Sequence, residues 1–145
     1  MRVAGSGPTF ETPWRSRGAA RGWALFFTLA GLAVSVVMAL LSDGVYHDDD
    51  LAHLQIARWA WQYPLFFLHE WGRPGFTVLY AGPAALGWLA ARLFSGVLTA
   101  ATAWLAYLFA RRQHIRLAAL VPLLVWLQPL TFTLSYTTLT ETPLA

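Results

Sequence analysis

Three consecutive aspartates, Asp48, Asp49 and Asp50, stand in the stretch YHDDDLAHLQIARWAW, Tyr46 to Trp61. On a helix beginning near Asp49, His53 follows Asp49 by four residues and Asp50 by three, which puts the imidazole on one face with both carboxylates. Ala52, Ile56, Trp59 and Tyr63 then form the opposite stripe, suited to a bilayer or a neighbouring helix. Aspartates in a first helical turn satisfy free backbone amides and complement the helix dipole, and a good cap contributes about 0.5 to 2 kcal/mol. One carboxylate suffices for that, and three adjacent like charges repel. The surplus suits a general base near a membrane surface, or a group that holds a divalent cation.

A second cluster follows in LHEWGRPGF, Leu68 to Phe76, where His69, Glu70, Trp71 and Arg73 precede a proline-glycine turn. The planar fork of Arg73 suits a phosphate, and His69 can bind or protonate a leaving oxygen. The plainer roles are a snorkelling arginine at lipid headgroups and a tryptophan in an interfacial aromatic belt, to which most of the eight tryptophans would belong. Glu141, in TLTETPLA, stands at the boundary of an apolar segment, where an acid faces a cavity or opens a further helix capped by Thr140. Arg111, Arg112 and Arg116 are read as topology signals only. The chain has no cysteine, which excludes disulfides and thiolate metal sites, and its dispersed glycines and histidines match no nucleotide loop, zinc motif or nucleic-acid surface.

These groups need apolar elements to position them, and the composition supplies those. Of 145 residues 57% are hydrophobic and 12% charged, which is too apolar for an ordinary soluble domain of this size. Trp23 to Leu41 is a run of 19 residues without a charge, the length of a membrane-crossing helix. Residues 1–22 carry Arg2, Arg15, Arg17 and Arg21 against Glu11, a tail expected on the cytoplasmic side. Residues 42–91 then form an outer loop, in which five acids meet two arginines.

Three more uncharged stretches follow, Pro74–Ala91, Leu93–Ala110 and Leu117–Thr140. If the first two both crossed, Arg92 alone would make the turn between them and the RRQHIR cluster would lie outside. The expectation is therefore that Pro74–Ala91 lies along the outer face, broken at Gly75, Gly82, Pro83 and Gly87. A span over 92–110 returns to a cytoplasmic arginine loop at 111–116, and a span over 117–139, kinked at Pro122 and Pro129, leads back to an outer end at 140–145. The fold class expected is an all-α integral membrane protein of about three transmembrane helices, with juxtamembrane helices in the first outer loop.

With its acidic outer loop, the H-x-W-x-R-P stretch from His69 to Pro74, ARLFSGVLTAATAWLAYLFARR and LTETPLA, the chain after residue 22 resembles the N-terminal part of the GT-C-fold membrane glycosyltransferases. That group includes protein O-mannosyltransferases and aminoarabinose transferases. The resemblance implies a polyprenyl-phosphate-linked sugar as donor and transfer on the outer face of a bacterial inner membrane. It implies catalysis by the Asp48, Asp49 and Asp50 motif, with Asp49 the first choice as base, and ligand contacts from Arg73, His69, His53 and Glu141. Such transferases typically continue through more spans and a soluble outer domain, so the chain is expected to be a front part, inactive alone, whose partners are membrane lipids, the lipid-linked sugar and the rest of the transferase. The alternative is a non-catalytic membrane assembly subunit whose acidic loop binds a cationic partner or calcium. A transporter is disfavoured, since neither Leu93–Ala110 nor the span after Leu117 carries an acidic or basic residue.

Overall fold

The computed structural model describes residues 17–42 and 48–138 of the chain. The helices are α1 (Arg17–Leu41), α2 (Asp48–Trp59), α3 (Pro74–Leu86), α4 (Trp88–Arg112), α5 (Val121–Leu127) and α6 (Pro129–Ser135), with 3-10 turns at Pro64–Leu68 and Ala118–Leu120. Two helices are long and apolar enough to cross a membrane: Gly18–Leu41, of mean hydropathy 2.5, and Trp88–Arg112, at 1.6. At about 1.5 Å per residue each exceeds the roughly 30 Å of a hydrocarbon core. Ala118–Leu127 with Pro129–Ser135 makes a third candidate only if the pair is taken together across a 74° bend.

That bend has one cause. Gln128 is extended, with ψ 117, as a residue before proline tends to be, and Pro129 then opens α6 without a backbone donor. The Gln128 side chain accepts from the Thr131 amide and caps the new helix. Pro122, expected as a second kink, instead lies in the first turn of α5, where proline removes no helical bond.

α1 and α4 lie side by side and antiparallel. Ala24, near the start of α1, clusters with Tyr107 and Ala110 of α4 and with Ala118, where the α5–α6 segment begins. At the opposite end α1 finishes beside the start of α4, and α6 finishes there too. The α5–α6 segment thus runs the length of the α1–α4 pair as a broken traverse. Midway along it, Trp126 covers Gly31, where a Cβ would fall inside the indole ring. Further on, Ser35 donates to the Ser135 carbonyl at 3.0 Å. Gly96 lets the three helices approach there, since a Cβ on it would lie 2.9 Å from Ser35 Oγ and 3.3 Å from the Ser135 oxygen.

The 74–91 stretch differs from its expected form. α3 continues through Gly75, Gly82 and Pro83, and the break falls at Gly87, whose φ of 114 belongs to glycine. α3 then lies against the first turns of α4: Tyr80 Oη and Ser95 Oγ are 2.8 Å apart, and Ala84 packs with Ala91. With 13 residues, or about 20 Å, α3 is too short to cross.

Arg92 does not open the helix, as the span expected over 92–110 would have it, but lies in the second turn of α4, and it is 3% exposed. Its Nε donates to the Tyr136 carbonyl at 2.7 Å and its Nη1 to the Ser42 carbonyl at 2.6 Å. These oxygens lie just past the C-terminal ends of α6 and α1, where carbonyls lack helical partners and a cation is favoured. Arg92→Ala is expected to lower the unfolding free energy in detergent by about 2 to 5 kcal/mol, because two half-buried acceptors lose charged donors. Arg92→Lys, with a single ammonium, should recover less than half. Denaturant titration followed by tryptophan fluorescence reads this, and an Arg92→Ala chain as stable as the wild type would show that the helix ends are held otherwise.

Candidate functional site

α2 packs on α3 through a core of Leu54, Ala57, Phe76, Tyr80 and Ala84, which reaches Ala91 of α4. Phe76 and Tyr80 stack at 4.2 Å, and the Trp61 indole donates to the Ala81 carbonyl at 3.1 Å, tying the chain just after α2 to α3. Because α2 starts on Asp48, all three aspartates fall in its first turn, the end of a helix where a carboxylate such as that of Asp49 is favoured. Asp49 is half-buried. It heads the row Asp49, His53, Ala57, Ala60, whose helical spacing runs along the covered side. The side chains of Asp48 and Asp50, and the whole of Glu141, lie outside the described residues.

His53 shares the covered side of α2 with Asp49, as its spacing suggested, and lies deeper. It is 4% exposed, and its Nε2 donates to the Trp71 carbonyl at 2.8 Å. Nδ1 is buried without a hydrogen-bond partner. The ring lies between Phe76, at 5.9 Å, and Trp71, at 6.4 Å and tilted by 28°. The expected stripe is split: Ala52 and Ile56 are half-buried, whereas Trp59 is 45% exposed and Tyr63, beyond the end of α2, is 58% exposed, and the buried positions are Leu54, Ala57 and Ala60. Small alanines admit the Phe76 and Tyr80 rings, and a tryptophan in their place could not.

The turn that His53 grips is closely built. A Cβ on Gly72 would come 2.7 Å from Ile56 Cγ2 and 3.0 Å from Thr77 Oγ1, so only glycine lets the turn rest on α2. Thr77 Oγ1 donates to the Gly72 carbonyl at 2.8 Å, and the Thr77 amide to the Arg73 carbonyl at 3.1 Å. Arg73 has φ 50, a left-handed backbone directly before Pro74. Such a residue stores about 1 to 3 kcal/mol of strain and persists only when its surroundings impose it. Arg73 is exposed. His69 is exposed too, ends the 3-10 turn at Pro64–Leu68, and meets Phe66 edge-on at 5.9 Å.

The structure therefore joins the acidic helix to the His69–Arg73 turn, through His53 and through Gly72 on Ile56. The arrangement presents a half-buried carboxylate and an exposed guanidinium on one packed unit, able to take a proton and to bind an anion. Among the described residues no group of three or more His, Cys, Asp or Glu side chains converges to hold a metal. Sequence reasoning missed the backbone carbonyl of Trp71 as a tether, the buried Tyr80–Ser95 pair, and Arg92. A signal for Arg92 was present: it is the single charged residue between Pro74 and Ala110. No family model, curated protein or solved structure matches this chain.

His53→Ala should loosen the turn from α2. The expected cost is about 1 to 3 kcal/mol from the orphaned Trp71 carbonyl and the lost ring. In hydrogen exchange the amides of residues 69–76 should speed up while those in the middle of α4 keep their protection. Unchanged exchange in 69–76 would mean that the tether does not hold the turn.

Proposed function

We propose that this chain belongs to a membrane glycosyltransferase that uses a polyprenyl-phosphate sugar at the outer face of a bacterial cytoplasmic membrane. In this reading α1, α4 and the broken α5–α6 segment cross the bilayer, with the arginine-bearing end of α1 and α4 inside. α2, α3 and the turn between them sit at the outer end, and the exposed Trp59, Trp61 and Trp71 lie at headgroup level.

The observation that carries the reading is the His53 tether, which keeps the helix bearing Asp49 and the strained turn bearing Arg73 in one unit. Asp49 takes the proton of an acceptor hydroxyl as its oxygen bonds to the anomeric carbon of the sugar. The bond from that carbon to the phosphate oxygen breaks, and Arg73 receives the charge left on the polyprenyl phosphate. His69, exposed on the same turn, is placed to hydrogen-bond the phosphate or the sugar.

Two substitutions separate the roles. Arg73→Gln should weaken binding of a short-chain polyprenyl phosphate to the chain in nanodiscs by about tenfold or more, the worth of one charge-assisted hydrogen bond. Asp49→Asn should leave that binding within about twofold and lower sugar transfer in native membranes by about 10² to 10⁴-fold, the usual contribution of a general base. Transfer that survives asparagine at Asp48, Asp49 and Asp50 together would overturn the reading and favour a non-catalytic assembly subunit.

A further inference from the structure

We propose that the arginine-bearing end of α4 holds the phosphate of an anionic phospholipid, with an acyl chain lying along the exposed face of the same helix. A hollow of about 270 Å³ lies there, lined by Leu108, Arg111 and Arg112. The three residues have the spacing i, i+3, i+4, so they share one face. Both arginines are exposed and occupy the last turn of α4. One cation there would complement the helix dipole, and a second on the adjacent residue exceeds that need.

Charge complementarity points to an anion. Arg21 on α1 and Arg116 beyond α4 are also exposed at this end. No acidic residue occurs in α1 or between Glu70 and Glu141, so nothing among the described residues at this end neutralises the guanidinium groups. Planar guanidinium forks match phosphate oxygens.

The apolar half of the ligand is set by what adjoins the hollow. Val97, Leu105 and Phe109 are 52%, 63% and 66% exposed. With Ala101, also exposed, they recur every four residues along α4 and lead to Arg112. An apolar stripe that ends at paired guanidinium groups has the polarity of a phospholipid: hydrocarbon along the helix, phosphate at its end. The inference rests on α4 lying in a bilayer and is independent of sugar transfer.

The test is native mass spectrometry of the full chain in detergent, titrated with phosphatidylglycerol, phosphatidylcholine and inorganic phosphate. Phosphatidylglycerol should bind best, and inorganic phosphate at equal concentration should not displace it. Arg111→Gln with Arg112→Gln should weaken phosphatidylglycerol binding about thirtyfold, roughly fivefold for each arginine at an anionic lipid. Arg112→Glu alone should weaken it at least tenfold, whereas Arg116→Gln, outside the hollow, should change it by less than about twofold. Wild-type affinity in the double variant would overturn the proposal. So would equal binding of phosphatidylcholine, which would make the contact one with hydrocarbon only, and so would displacement by inorganic phosphate, which would assign the hollow to a soluble phosphate compound.

Discussion

A buried guanidinium that serves two helix ends at once is the constraint on which this architecture depends. Arg92 reaches the Ser42 carbonyl beyond α1 and the Tyr136 carbonyl beyond α6 from the second turn of α4. In an apolar setting a charge or a carbonyl without a partner is costly, so the three ends specify one another. Gly96, one helical turn after Arg92, provides the close approach at Ser35 and Ser135, on the same two partner helices. The two contacts agree on a single register. Gly87 reverses the chain five residues before Arg92, so α3 inherits its place from the clamp, and α2 inherits its own from α3.

This hierarchy divides the molecule into a spine and a carried unit. The spine is the α1–α4 pair with the α5–α6 segment, held by small residues and by Arg92. The carried unit is α2, the His69–Arg73 turn and α3, held by aromatic stacking, the His53 tether and the Trp61 indole. Side chains with acid, base or anion-binding character concentrate on the carried unit, where a packed core fixes their spacing and the spine sets their height. The opposite end of the spine bears Arg21, Arg111, Arg112 and Arg116 and, among the described residues, no acid, so the molecule is electrostatically polar along its long axis.

Long apolar runs were legible because length and the absence of charge suffice to recognise them: Trp23–Leu41 lies within α1, and Leu93–Ala110 within α4. Contacts that depend on a chosen face were not. On α2 the spacing does not tell which apolar residues α3 covers: Trp59 and Tyr63 stay exposed, whereas α3 brings its own large rings and needs alanines opposite. Gly75, Gly82 and Pro83 read as breakers because in water they weaken helices, yet here they lie inside α3, and only Gly87, with its positive φ, interrupts the chain. Arg92 was taken as a boundary because a charge usually ends an apolar segment. Its two acceptors are backbone atoms 44 and 50 residues away, which no local pattern announces. The aspartate motif and the arginine turn were visible as separate clusters, while their union depends on a carbonyl that the sequence does not distinguish from any other.

The break at Gln128 bears on what holds the α5–α6 segment in place. α5 and α6 have seven residues each, about 10 Å of helix, and helices shorter than about 12 residues are marginal alone. α1 and α4 are each long and apolar enough to cross a membrane, whereas the bent pair reaches that length only when both pieces are taken together, without continuous helical bonding across the bend. Its two short pieces depend on packing against their neighbours, with Trp126 seated over Gly31. The Arg92–Tyr136 contact fixes the far end of this segment, so its place is borrowed from the α1–α4 pair rather than built by its own helical bonding.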